Sequence, residues 1–414
     1  MTQTPSTQTP STQTSSVTTG KRPRVAGLIS EYRRYSHGQN IIDRLMGGYG
    51  WESEWHYPEL DVVSLYVDQF PESDLSRERE QRHPDLHIYP TIAEALTLGG
   101  SELAVDGVVL IAEHGDYPLN EKGQMLYPRY DFFQQTVEVF RASGRTVPVF
   151  CDKHLSYNYD WAREMVETAK ELGFPFMAGS SLPVARRVPS IDLPLGSEAE
   201  EVVGIGVGSI DSYDIHALEA MQCLAERRQG GETGVKSVRG LRGDSVWQAM
   251  DEGAWDPALF EACLCRSLSL KPADETHRHT YPTREELPGL LGRDAIAYQI
   301  DYLDGLRATM LLMEGLKQDI TAAVRIKNQP DPFSVLFYLG AGHHMQPNFF
   351  NPLSHHIENL ICKGQPPFPV ERTLLTTGTA HAGIDSLHLG EQLVDTPHLD
   401  ITYQVDETST FRRT

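Results

Sequence analysis

The sequence predicts an α/β protein: an N-terminal doubly wound, Rossmann-like parallel sheet, then a C-terminal α+β domain with an open, mostly antiparallel sheet. Three observations carry this expectation. Residues 24–181 alternate near-continuous Val/Ile/Leu runs with amphipathic stretches, as a parallel sheet covered on both faces requires. Between 294 and 340 four alternating runs follow in succession, each bounded by Gly, Asp or Asn. At 414 residues the chain is too long for one ordinary core.

In the first half the expected strands are 24–30, 61–67, 86–90, 105–113, 147–153 and 174–181, with helices at 38–47, 91–98, 130–142 and 158–172. The last helix, "NYDWAREMVETAKELG", has a polar start, apolar residues three to four apart and a closing glycine. Regular βαβ alternation of this kind predicts a doubly wound sheet. Beyond Pro183 the pattern gives a strand at 198–208, a helix at 211–228, a strand at 233–244 and a helix at 255–267. The four meander runs come next, and helices near 349–363 and 371–390 close the fold on one face of the sheet. The expected organisation is a tail (1–23), a Rossmann-like domain (24–182), a substrate and oligomerisation domain (183–395) and a polar C-terminal tail (396–414).

Composition excludes several classes. Hydrophobic residues at 40% and charged residues at 22% are globular values. A formal charge of −21 repels nucleic acid and anionic membrane surfaces. No apolar run reaches the ~18 residues of a membrane span. The N-terminal "TQTPSTQTPSTQT" has nothing to bury and reads as a disordered tail without a secretory h-region. Five scattered cysteines without a CxxC fit reduced thiols in the cytoplasm.

Four segments give the chain a resemblance to the Gfo/Idh/MocA oxidoreductase family. "YPTIAEALTLGGSELAVDGVVLIAE" resembles the family's third strand, short helix and fourth strand. "VPVFCDKHLS" is similar to its "EKP" segment, with Lys153 at the lysine and His154 at the proline. "DIHALEAM" resembles the helix that carries the family's histidine, here His216, with Glu219 as the acid after it. "PPFPVERTLLTTGTAHAGIDSLHLG" is similar to the closing helix. The resemblance implies hydride transfer between NAD(P) and a sugar-like alcohol, Lys153 and His216 in proton transfer and hydroxyl binding, and a homodimer or tetramer built through the open sheet.

The sequence departs from that pattern at the cofactor loop. Where the family has GxGxxG, this chain has "LISEYRRYSH", with no glycine between Leu28 and Gly38. Glycines there let the backbone approach a pyrophosphate. Tyr32, Arg33 and Arg34 fill that approach, and Glu31 adds a like charge worth about 1 kcal/mol at ~4 Å in water, more when sheltered.

Ligands of doubly wound sheets bind at the carboxyl ends of the strands. Three such ends carry polar groups: Glu31 and His37; Glu113, His114 and Asp116; Asp152, Lys153 and His154. Carboxylates and imidazoles in one crevice suit a divalent Zn, Mn or Fe, sugar hydroxyls or acid/base work. The leading expectation is a metal-assisted epimerase, isomerase or lyase acting on a small polyhydroxylated or carboxylated substrate. Lys153, His216 and His154 are its catalytic candidates, and Glu31, His37, Glu113, His114, Asp116 and Asp152 its metal-ligand pool. The alternatives are an NAD(P)-dependent sugar or cyclitol oxidoreductase, with Arg33 or Arg34 at a phosphate, and a non-catalytic binding homologue. His343 and His344 are a weaker addition. The pairs His277/His279 and His355/His356 are left outside the site: "ETHRHTYP" is loop-like, and His355/His356 open a helix, on which adjacent residues do not face one another.

Overall fold

A computed structural model describes residues 21–271, 282–340 and 347–414 of the chain. The N-terminal repeat, His277/His279 and His343/His344 lie outside the described residues. The first half runs β1 (Arg24–Glu31), α1 (His37–Gly47), a hairpin of β2 (Tyr49–Trp51) and β3 (Glu54–His56), β4 (Asp61–Gln69), α2 (Ser76–Arg82), β5 (His87–Tyr89), α3 (Ile92–Thr97), β6 (Gly107–Ile111), α4 (Arg129–Ser143), β7 (Val149–Asp152), α5 (Tyr159–Leu172) and β8 (Phe176–Gly179). Its six-stranded sheet has the order β5-β4-β1-β6-β7-β8, parallel throughout. The order reverses at β1, which opens a crevice above β1, β6 and β7.

Local chemistry sets the helix boundaries. Ser36, Thr91 and Asn158 cap α1, α3 and α5 by accepting from the backbone N–H three residues on. Gly173 ends α5 in the left-handed region at φ 69°. Gly38 brings α1 onto β1: a Cβ there would meet Ile29 Cγ2 at 2.7 Å and the Glu31 carbonyl at 3.2 Å.

The second half runs β9 (Arg187–Val188), β10 (Ala199–Gly206), α6 (Asp214–Ala225), β11 (Val235–Arg242), α7 (Asp244–Asp251), α8 (Pro257–Arg266), α9 (Leu287–Leu290), β12 (Ile296–Tyr302), β13 (Arg307–Leu312), β14 (Ile320–Ile326), β15 (Phe333–Phe337), α10 (Phe350–Lys363), α11 (Glu371–His388) and β16 (Val394–Asp395). Its eight-stranded sheet has the order β16-β11-β12-β13-β10-β14-β15-β9. Strand pairs are antiparallel except β10 with β13.

Three expectations change here. The four meander runs are strands, but β10 inserts between the second and third of them. Hairpin-like spacing cannot reveal this, because the inserted strand comes from about a hundred residues earlier in the chain. Second, helices cover both faces of the sheet. Leu218 and Met221 of α6 pack on the face that carries Val202 and Met310, whereas Trp247 of α7 and Leu259 and Phe260 of α8 pack on the face of Val203, Ile205 and Leu311. The apolar face assigned to oligomerisation is therefore covered by the chain's own α7 and α8. Third, the polar end of the chain is anchored: Arg227 donates to the carbonyls of Asp406 and Glu407, and Leu399 and Phe411 are buried.

α6 is buried at all twelve of its positions and lies against α11, β10, β13 and β14. One apolar cluster joins it to the first sheet through Ile29, Val109, Phe150 and Met177. This shared core brings α6 to the mouth of the crevice. Gly38→Ala is expected to lower stability by about 1–3 kcal/mol through overpacking, read as a fall in the midpoint of thermal or urea unfolding.

Candidate active site

Left-handed backbone positions shape the crevice: Tyr35 in the β1–α1 turn, at φ 66°, a residue after the end of β6 and another after the end of β7. His114, just past β6, and Lys153, just past β7, both adopt left-handed φ values, 72° and 63°. Each costs an L-residue of order 1 kcal/mol and needs surrounding structure to hold it. Ser30 on β1 supplies part of that structure, its hydroxyl lying 2.9 Å from the Glu113 carbonyl and 2.8 Å from that of His114. The Lys153 N–H donates to the Gly179 carbonyl at 3.2 Å.

The left-handed turn carries Lys153 Nζ to Glu113 Oε1 at 2.6 Å and to the Ser212 carbonyl at 3.0 Å. The other Glu113 oxygen accepts from Arg129, which is fully buried at the first position of α4. Burial would raise the Glu113 carboxyl, but Lys153 and Arg129 outweigh it and hold the group well below the usual carboxylate range. Arg129 also donates to His154 Nε2 at 3.2 Å, and burial followed by that guanidinium drives His154 well below its ordinary value. His154 is thus a neutral acceptor behind the site rather than a group on its wall.

On the other wall, His37 Nδ1 lies 2.6 Å from Asp152 Oδ2, and Asp152 is buried. With Nδ1–H held by the carboxylate, Nε2 is the proton-accepting atom. The His37 ring lies 5.3 Å from that of His114 and 6.5 Å from that of His216, with Phe350 edge-on at 5.1 Å. His114 is lowered to about 4 by burial and by His37. His216, on α6, hydrogen-bonds Ser180 Oγ at 2.5 Å, and the Ser180 N–H donates to Glu219 Oε2 at 2.5 Å. Gly179, at φ 126°, makes room for that carboxylate: a Cβ there would meet Glu219 oxygens at 2.7 and 2.8 Å.

The cavity so formed has a volume of about 370 Å³. His37, Glu113, His114, Lys153 and His216 line it, together with Arg33, Tyr127 and Tyr213. Tyr127 remains a phenol, raised to about 12 by burial and by Glu113.

The expected ligand pool divides into pairs instead of gathering about one point. Glu31 pairs with Arg33, Asp152 with His37, and Glu113 with Lys153 and Arg129. Asp116 is exposed, its backbone tied to Gln69 over β4. Arg129 escaped the sequence reading. Its signal was present: a cation in the first turn of a helix opposes the helix dipole and asks for a tertiary partner.

The turn from β1 to α1 closes on itself. Tyr32 does not obstruct it, since its ring is in the core and its hydroxyl donates to Asp43 at 2.6 Å. The N–H groups of Arg33 and Gln39 donate to Ser36 Oγ, that of Tyr35 to Gln39 Oε1, and that of Ser36 to the Arg33 carbonyl. These four amides are not available to a pyrophosphate. The cations at this rim are side chains, half-buried Arg33 and exposed Arg34.

No protein-family profile matches the sequence, and no curated protein is significantly similar to it. Solved structures do match its fold. GenD2 from gentamicin A biosynthesis, in complex with NAD, superposes with a TM-score of 0.56 at 13% identity over 91% of this chain and 97% of its own. A myo-inositol dehydrogenase from Lactobacillus casei, in complex with NAD(H) and myo-inositol, gives 0.55 at 12% identity over 91% and 97%. An aldose-aldose oxidoreductase from Caulobacter crescentus complexed with glycerol gives 0.50 at 15% identity over 90% and 100%.

The chain has the Gfo/Idh/MocA-type fold. The earlier resemblance, read from short motifs, holds over nine-tenths of the chain. The expectation of a metal-assisted epimerase, isomerase or lyase is corrected by the same finding. Among the structures that match the fold, one is a myo-inositol dehydrogenase in complex with NAD(H) and myo-inositol and another, GenD2, is in complex with NAD, and in the crevice Glu113 is already paired with Lys153 and Arg129. No described helix is long and apolar enough to cross a membrane.

Glu219 provides a test of this geometry. It is fully buried, and burial raises it from 4.5 to about 7. The folded state therefore binds the proton more tightly than the unfolded state, so stability falls as pH rises from about 4.5 through 7. The stability–pH curve of Glu219→Gln is expected to be flatter than wild type by about 3 kcal/mol over that interval. Parallel urea-unfolding curves for the two proteins from pH 5 to 8 would refute the buried-acid assignment.

Proposed function

We propose that the crevice is the active site of an NAD(P)-linked oxidoreductase acting on a small polyhydroxylated substrate of the sugar or cyclitol class. The observation that carries this reading is Lys153, fixed at a strained left-handed position with Nζ between Glu113 and the Ser212 carbonyl in a cavity that also holds His37 and His216. The myo-inositol dehydrogenase in complex with NAD(H) and myo-inositol, whose fold it shares, supports the reaction class.

The donor set of the β1–α1 turn fits a diphosphate through guanidinium groups instead of backbone amides. Arg33 and Arg34 are the residues that would hold it, Arg33 from beside Glu31 and Arg34 from its seat over the Tyr35 ring. When bound, the nicotinamide supplies the hydride acceptor or donor. The chain's own groups handle the proton. His37 Nε2, oriented through Nδ1 by Asp152, accepts the proton of the reacting hydroxyl. Lys153 Nζ donates a hydrogen bond to the same oxygen and steadies the negative charge that develops there. Glu113 and Arg129 hold Lys153 in place and remain charged throughout. His216 and Tyr127 are placed to bind neighbouring hydroxyls, and Phe350 shields the His37 ring from water.

The occupied amides of the turn favour a second reading, in which the crevice binds a polyhydroxylated ligand without a dinucleotide. Fluorescence titration with NADH and NADPH separates the two. Saturable binding that weakens in an Arg33→Ala/Arg34→Ala protein supports the oxidoreductase; absence of binding up to millimolar cofactor supports the second reading. With turnover established on a panel of sugars and cyclitols, Lys153→Met and His37→Ala are each expected to lower kcat by about 100-fold or more while leaving cofactor affinity near wild type.

A further inference from the structure

We propose that His56, His355 and Glu358 form a site for one divalent transition metal of the zinc type, clamping the β2–β3 hairpin to α10. The site is separate from the crevice and independent of the reaction assigned to it. His56 is the last residue of β3, while His355 and Glu358 lie three apart on α10 and so share one face of the helix. One donor atom from each falls within 4.8 Å of the others. Two imidazoles and a carboxylate are a donor set that zinc accepts, with water completing four-coordination. The two histidines are half-buried, which leaves a path for the ion and room for that water.

The key observation is His355 Nδ1, a buried ring nitrogen with no hydrogen-bond partner among the described residues. His56 Nε2 lies 2.6 Å from Glu358 Oε2, and the other Glu358 oxygen accepts from the Glu59 N–H at 2.7 Å. Trp51 stacks on the His355 ring at 4.2 Å, and Arg412 covers Trp51 at 4.0 Å. These neighbours fix the orientation of the ligands, as outer partners do at metal centres. Metal–ligand distances near 2.0–2.1 Å in a tetrahedron place donors about 3.3 Å apart, so the His56–Glu358 pair opens by less than about 1 Å to admit the ion.

A paired reading of the adjacent histidines cannot find this site, because His356 points elsewhere, to the Thr410 carbonyl at 2.9 Å. The relevant partner is three residues on, and the third ligand comes from some three hundred residues earlier in the chain.

The test uses full-length, tag-free protein dialysed against chelator and titrated with Zn²⁺ by calorimetry. The expected result is about one equivalent bound at micromolar affinity or tighter, with a rise of about 3 °C in the thermal midpoint at saturation. His56→Ala and His355→Ala are each expected to weaken binding by about 100-fold, whereas His114→Ala in the crevice leaves it unchanged. Less than about 0.2 equivalents bound to wild type, or tight binding that survives the double substitution, overturns the proposal. Co²⁺ loading of the wild-type protein gives a readout that needs no variant: visible d–d bands of a four-coordinate ion support the site, and their absence overturns it.

Discussion

The carboxylate of Glu113, buried between Lys153 and Arg129, organises the crevice. A lone carboxylate at that depth would lose its charge, and either cation alone would be equally unwelcome. Together they fix where three segments go. β6 must end so that Glu113 points inward, the turn after β7 must go left-handed to deliver Lys153, and α4 must begin with its arginine facing the sheet. His154 then accepts from the other terminal nitrogen of the same guanidinium. The Ser212 carbonyl, received by Lys153, brings the start of α6 to the same point, so the second half of the molecule is registered on the first by the charge cluster as well as by the apolar seam.

Much of this was legible in the sequence. The βαβ alternation, the strand ends and the closing helices follow from period and punctuation, and they agree with the structure to within a few residues. The convergence of "SEYRRYSH", "AEHGDYP" and "CDKHLS" at one crevice followed from the general rule that ligands bind above strand ends. What could not be read was which acid meets which cation. Glu31, Glu113 and Asp152 look alike in sequence, and only the structure gives one to Arg33, one to Lys153 and one to His37. Four of the residues called as metal ligands are explained by those pairings, and the arginine that mattered most stands at the edge of the expected helix at 130–142, where sequence does not say which acid it meets. The insertion of β10 and the covering of the second sheet by α7 and α8 are long-range pairings for which short-range pattern carries no information.

The first turn shows how a fold can keep its geometry while its chemistry changes. Gly38 still allows α1 to pack closely on β1, which is one of the tasks glycine performs in dinucleotide folds. The other task, baring backbone amides, has been given up: Ser36 and Gln39 take those amides for the turn itself. Arginines now stand at the rim, so recognition of an anion there would depend on salt more steeply than a cradle of amides does.

The left-handed residues after β6 and β7 also bear on how this chain could decay. At His114 and Lys153 the backbone would be relaxed by glycine or asparagine, and only the crevice gives a reason to keep bulkier side chains there. A lineage that no longer used the crevice would be free to drift toward those smaller residues at both positions, while Glu113 and Arg129 would still be held by their own buried pair. His114 and Lys153 are therefore the two positions at which relatives that keep this crevice would differ in sequence from those that do not.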